Sequence, residues 1–128
     1  MTRKRSAYRP RLVQAPIMRE LHDQIALGLH LSYEVVARAP NLEVVEHLAQ
    51  ILGMVGLAVE NDPKFVDESR TIDSAMRALD QIASSTAATD LELAPLLLGV
   101  RAADAVVPRL DVIRLHKANL KLRALAVL

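Results

Sequence analysis

The sequence predicts an all-α fold, a bundle of four or five helices preceded by an extended basic N-terminal arm. Hydrophobic residues make up 52% of the 128 residues and aromatic residues only 2%, so Leu, Val, Ile, Ala and Met must build the core. These residues favour helices over strands. Apolar residues also recur at three-and-four spacing, in stretches separated by Pro, Asn and Asp. A chain of this length is expected to form one core, and we assign residues 17–128 to it.

Residues 1–16 differ in composition from the rest of the chain. They contain two prolines and five cationic residues, and they lack a helical apolar period. This pattern predicts a flexible or extended arm. Pro16 suits the first turn of the helix that follows.

Three helices are predicted in the first two thirds of the chain. The first covers residues 17–38, where apolar side chains form one stripe and charged side chains the opposite face. Pro40 ends it, and Asn41 is a favoured N-cap for a second helix over residues 42–60. Asp62 and Pro63 then begin a third helix that runs to residue 84.

The remaining residues, 90–126, are predicted to form a broken helical segment. Thr89 and Glu92 have the spacing of a capping box at its start. Pro95 and Pro108 each lack the amide donor that a helix interior needs. We therefore expect a kinked helix, or two helices that meet near Val107.

The second predicted helix is apolar around most of its circumference over residues 48–59. A helix of this kind is usually buried on every side. Gly53 and Gly56 lie three residues apart within it, which indicates either the close approach of another helix or simple tolerance of glycine.

Composition and motifs weigh against catalysis. The chain has no cysteine, which excludes disulfides, thiolate nucleophiles and zinc sites of the Cys type. It also lacks a phosphate-binding glycine loop and a G-x-S-x-G motif. His22 and His116 have no neighbouring residues in the sequence that would complete a catalytic pair, so we interpret them as structural. We predict neither enzymatic activity nor a cofactor.

A metal site was considered for two pairs of residues at helical spacing, His30 with Glu34 and Glu43 with His47. Antiparallel helices would bring these pairs to similar heights, and helical bundles hold metals in this way. However, the helical wheel places most of these side chains towards solvent, and no Glu-x-x-His occurs. We therefore favour a solvated polar face and predict no metal.

Charge is unevenly distributed along the chain. Two basic ends flank a middle, residues 13–108, with six basic and fourteen acidic residues. The N-terminal arm has the residue types that neutralise phosphates and stack on bases, so it predicts a nucleic-acid contact, to DNA or RNA. The alternatives are a solubilising tail, or an arm that pairs with the acidic middle of a neighbouring subunit. The predicted contact residues are Arg3, Lys4, Arg5, Tyr8, Arg9 and Arg11. A second basic cluster, from Arg109 to Arg123, would extend this surface.

The apolar surplus predicts self-association, with a two-fold dimer as the favoured form. Mean hydropathy is +0.20, high for a chain that must cover its own core. A helical wheel places Leu57 on the solvent face of the second helix. The predicted interface consists of Leu57, Leu125, Val127 and Leu128. We expect no membrane span, because the longest uncharged stretch in the middle of the chain is shorter than the ~20 residues required. With no recognisable secretory signal, a cytoplasmic location is expected.

The opening run Lys4-Arg5-Ser6-Ala7-Tyr8-Arg9-Pro10-Arg11 resembles the start of small phage- and prophage-encoded proteins of Gram-negative bacteria. The resemblance covers about a tenth of the chain. It implies a small cytoplasmic accessory protein in a phage or host regulatory setting, and it assigns no reaction or site. The leading hypothesis is thus a non-enzymatic, self-associating accessory protein that contacts nucleic acid. The alternatives are a module that modulates a host protein complex and a metal-binding bundle.

Overall fold

The chain folds into five α-helices, as a computed structural model shows for the backbone of residues 2–85 and 87–127 and the side chains of residues 19–85 and 87–125. No strand occurs in this part of the chain, which confirms the all-α bundle. Two single turns of 3-10 helix, Pro63–Phe65 and Val107–Arg109, precede the third and fifth helices. The α-helices are α1 Thr2–Arg38, α2 Leu42–Val59, α3 Val66–Ser85, α4 Asp90–Val106 and α5 Val112–Val127.

Polar side chains begin the helices where the sequence predicts. The Asn41 side chain accepts a hydrogen bond from the Val44 amide at 3.0 Å, and this caps α2. Asp62 accepts from the Lys64 amide at 2.9 Å and begins the turn that leads into α3. At α4, Glu92 accepts from the Thr89 amide at 2.9 Å, and the predicted capping box is present.

Helix α2 lies at the centre of the bundle and packs against the other four helices. Its fully buried side chains recur at three-and-four spacing along one stripe, and the other side chains of residues 51–59 are partly buried, so burial on every side is only partly confirmed. By length and composition Leu42–Val59 would also be able to cross a membrane, but the core helix of a soluble protein passes the same test. In this structure 33% of that stretch is buried inside the bundle. The buried residues of α2 are Val45, Leu48, Leu52, Val55, Ala58 and Val59.

Glycines lie at close contacts between helices. A Cβ atom added at Gly53 would lie 3.3 Å from Leu122 of α5, and one added at Gly56 would lie 3.3 Å from Ile72 of α3. The close approach of other helices at these two glycines is therefore confirmed. The tightest contact lies elsewhere, at Gly99, where α4 meets α3 in the most extensive helix pair of the bundle.

The N-terminal segment differs from its prediction. Helix α1 begins at Thr2, so the backbone of residues 2–16, expected to be extended, is helical and continuous with residues 17–38. The prediction of a flexible or extended arm was based on the two prolines, the five cations and the absence of a helical apolar period. Arg, Lys, Ala, Gln and Leu, which make up much of this segment, have high helix propensity and favour the observed conformation.

The last third of the chain is broken as predicted. Helix α4 continues through Pro95 and ends at Val106, and Val107–Arg109 forms a single 3-10 turn around Pro108. Helix α5 then begins after Asp111, whose carboxylate accepts from the Arg114 amide at 2.7 Å. The two helices can change direction here because proline removes the hydrogen bond that would continue α4.

Candidate functional site

The basic N-terminal segment, residues 2–16, occupies the first part of a helix that is much longer than the others. At 1.5 Å per residue, the 37 residues of α1 span about 55 Å, whereas the 16 to 20 residues of each remaining helix span about 24–30 Å. No single one of the other four helices is long enough to cover α1 along its whole length.

Five cations and no acid lie between residues 3 and 11, over about 12 Å of helix axis. The sequence predicts that six residues of this segment contact nucleic acid. Their side chains lie outside the described part of the structure, so their placement stays a prediction. These residues are Arg3, Lys4, Arg5, Tyr8, Arg9 and Arg11.

The second basic cluster is largely engaged within the chain, and Arg114 is its most connected member. Its Nε donates to the Ala58 carbonyl oxygen at 2.6 Å, and its Nη2 donates to Asp62 Oδ2 at 2.7 Å. Ala58 lies in the last turn of α2, where carbonyl groups have no partner within the helix. Arg114 therefore joins the start of α5 to the end of α2 and to the loop before α3.

The same contacts alter the acidity of Asp62. The hydrogen bond from Arg114 lowers the pKa of the Asp62 carboxyl, and the hydrogen bond from the Lys64 amide lowers this pKa further. Both favour the ionised form. Asp62 therefore remains a carboxylate, able to bind Arg114, at pH values where a free aspartate would begin to take up a proton.

Two more basic residues of this cluster make internal contacts. The Arg109 guanidinium lies 4.6 Å from the centre of the Phe65 ring, a cation–π distance, and Lys121 Nζ lies 3.6 Å from Glu60. Lys117 and Arg123 are exposed and form no ion pair with any described side chain. The idea that the whole cluster extends a nucleic-acid surface is thus weakened, because three of its five cations hold helices together.

Helices α2, α3 and α5 border an apolar groove with a cavity volume of about 400 Å³. Gly53 and Gly56 line its floor, and Asp73 of α3 and Glu60 lie at its edges. Leu57 and Leu125, two of the four predicted interface residues, both line this groove. The sequence could not show that they meet, because they are far apart along the chain.

Leu57 is less accessible than predicted. The helical wheel places it on the solvent face of α2, whereas in the structure it is partly buried and packed against the core. The wheel fails here because α5 and α3 also pack on this side of α2. Leu125 is 51% exposed, and its role at an interface stays a prediction. The side chains of Val127 and Leu128 lie outside the described residues.

The residues considered for a metal site are not brought together. His30 Nε2 lies 3.3 Å from Asp104 of α4, and Glu34 pairs with Arg38 at 3.6 Å. Within the described residues, no group of three or more His, Asp or Glu side chains is placed to hold a metal ion. His22 has the predicted structural role, because its Nε2 lies 2.8 Å from the Leu110 carbonyl oxygen and links α1 to the start of α5.

A second groove, between α1 and α2, was not predicted from the sequence. It has a cavity volume of about 470 Å³, and its wall on α1 includes Leu31 and Val35, which are 57% and 42% exposed. The wall on α2 carries Glu43 and Glu46, neither of which forms an ion pair with a described side chain. The sequence does contain one signal for this groove, because the apolar residues Leu31 and Val35 lie on the polar side of α1.

Comparison with known proteins adds no assignment, since no protein-family model, no curated protein and no solved structure matches this chain.

Proposed function

We propose that this protein is a non-enzymatic, self-associating accessory protein that contacts nucleic acid through its basic N-terminal segment. The observation that carries the proposal is five cations without an acid on the first turns of a helix about twice as long as its neighbours. Lys and Arg on such a segment can neutralise successive phosphates along a nucleic-acid strand.

The distribution of internal ion pairs supports the N-terminal segment over the C-terminal cluster. Arg109, Arg114 and Lys121 are engaged with Phe65, Asp62 and Glu60, so these cations have less freedom to follow a phosphate backbone. The cations outside the N-terminal segment and the second basic cluster lie in residues 13–108. This region also contains fourteen acids, which lower the positive potential there.

Self-association is the second part of the proposal. Its support is the apolar groove between α2, α3 and α5, with Leu125 half exposed at one side. A second chain that covers this groove would remove apolar surface from water, at about 25 cal/mol per Å². Two-fold symmetry would also place two basic segments in one assembly, and two linked contacts bind more tightly than one.

The experiment is a gel shift with arbitrary duplex DNA and with single-stranded RNA. The test variant replaces the five cations of residues 3–11 with Ala. A matched control replaces five exposed cations of the middle region with Ala, so that the net charge changes equally. The control set is Arg38, Lys64, Arg70, Arg77 and Arg101.

We expect the wild type and the control variant to shift nucleic acid, and the test variant to require at least about tenfold more protein. Equal binding by the two variants would show that net charge, and not the N-terminal segment, determines the affinity. A wild type that binds neither nucleic acid would refute the proposal directly.

A second candidate function is that of a module that binds another protein, for example within a phage or host complex. The observation that favours it is the same half-exposed apolar groove, which a partner helix could fill in place of a second copy. Capture of a specific protein by the wild type, but not by a Leu125→Lys variant, would support this alternative.

A further inference from the structure

The groove between α1 and α2 combines exposed apolar side chains on α1 with two acidic side chains on α2 that no described side chain pairs with. Leu31 and Val35 expose about half of their side-chain surface on one wall. Glu43 and Glu46 stand on the other wall, one turn apart, and no described side chain forms an ion pair with them. His47 also lines the groove, whereas the nearby Arg38 is paired with Glu34 at 3.6 Å. A ligand that fits this surface should carry both apolar groups and positive charge.

Residues 2–16 of this chain have that combination, whereas the second basic cluster, Arg109 to Arg123, has three of its five cations engaged within the chain. Residues 2–16 carry five cations and no acid, interspersed with Ala7, Tyr8, Leu12 and Val13. The dimensions also agree. The α2 wall from Glu43 to Gln50 rises about 10 Å along the helix, and the cationic run from Arg3 to Arg11 rises about 12 Å.

A chain cannot place its own segment in its own groove. Residues 2–38 form one continuous helix, and Arg11 precedes Leu31 by twenty residues, which is about 30 Å along the axis. The segment would have to leave the helix and fold back across that distance. A second copy of the chain meets no such constraint.

We propose that the groove between α1 and α2 binds the basic N-terminal segment of a second copy of this chain. Charge complementarity carries the proposal, because an acid-free cationic segment would meet two glutamates that no described side chain pairs with, next to the exposed Leu31 and Val35. The contact can be reciprocal under a two-fold axis, with each copy donating its segment to the groove of the other. It goes beyond the proposed function, because it gives the basic segment a protein ligand in addition to nucleic acid.

The test uses a fluorescently labelled peptide of residues 2–16 and measures its binding by anisotropy. The receptor is the full-length chain in which the five cations of its own segment are replaced by Ala, so that its own segments do not compete. Three further receptors carry, in addition, Glu43→Gln with Glu46→Gln, or Leu31→Ser, or the control pair Asp67→Asn with Asp80→Asn. The control pair removes two exposed acids from α3 and matches the charge change of the glutamate pair.

We expect the peptide to bind the parent receptor, and the glutamate pair to weaken binding by about 2- to 30-fold, the effect of losing two surface ion pairs. Leu31→Ser should also weaken binding, and the control pair should leave it unchanged. Absence of binding to a folded parent receptor would overturn the inference, as would an equal loss in the control pair or no effect of Leu31→Ser. The assay contains no nucleic acid, so its failure is distinguishable from failure of the proposed function.

Discussion

Gly99 offers the sharpest test of the packing, because it lies where α4 and α3 are closest. A Cβ added at Gly99 would overlap the Ala75 Cβ and would lie 3.2 Å from the Thr71 carbonyl oxygen. Neither atom belongs to the end of a flexible side chain, so α3 and α4 must separate to admit a methyl group. We therefore predict that Gly99→Ala destabilises the fold.

The expected size follows from two opposing effects. Overpacking of a well-packed core costs about 1–3 kcal/mol, and the contact at Gly99 belongs near the upper end of that range. Ala gains up to about 1 kcal/mol over Gly in a helix interior. The net loss of unfolding free energy should be about 1–2 kcal/mol.

Gly28→Ala is the matched control, since Gly28 also lies within a helix. Its added Cβ would lie 3.0 Å from Ile51 Cδ1, the end of a flexible side chain that can turn away. The higher helix propensity of Ala then offsets the cost of moving the Ile51 side chain, and we expect a free energy of unfolding within about 1 kcal/mol of the wild-type value. Urea denaturation followed by circular dichroism measures both variants. If Gly99→Ala is no less stable than Gly28→Ala, the close α3–α4 contact is wrong.

Three other perturbations test separate parts of the structure. Arg114→Met should lower the free energy of unfolding by about 1–3 kcal/mol, because the Ala58 carbonyl loses its donor; an unchanged urea midpoint would contradict this. The hydrogen bond from Arg114 lowers the pKa of Asp62, so the ionised carboxylate stabilises the fold at pH values above the ordinary aspartate pKa of about 4. This stabilisation is lost as the pH falls through the lower pKa of the folded state. Asp62→Asn should therefore reduce the acid dependence of stability, and an identical pH profile would count against the Arg114 contact. Leu125→Lys, at an exposed position in the groove between α2, α3 and α5, should move the mass seen by light scattering towards that of the 14.1 kDa monomer; a wild type that is already monomeric would refute self-association.

Apart from the start of α1, the sequence predicts the helix boundaries well because local chemistry sets them. Asn41, Asp62 and Thr89 cap the following helix through residues two or three positions away, and Pro108 breaks the last segment by removing a donor. These signals involve residues that are neighbours in the chain, so they can be recognised from the sequence alone. The apolar circumference of α2 likewise predicts its central position.

What the sequence does not predict depends on contacts between distant residues. The pairing of Arg114 with Ala58 and Asp62 joins residues more than fifty positions apart, so its role in holding helices together is not visible in the basic cluster itself. Leu57 was placed towards solvent because a helical wheel does not show that α5 covers that face. The helical backbone of residues 2–16 was not predicted for a different reason, since this segment has two prolines and no helical apolar period, although many of its residues have high helix propensity.

The most direct test of the central claim is the salt dependence of nucleic-acid binding. For duplex DNA, the logarithm of the binding constant falls with the logarithm of salt concentration by about 0.9 for each phosphate that a cation neutralises. If the five cations between residues 3 and 11 make these contacts, their replacement by Ala should reduce the slope by up to about 4.5. A slope that is the same in the wild type and in this variant would show that the basic N-terminal segment does not contact the phosphates.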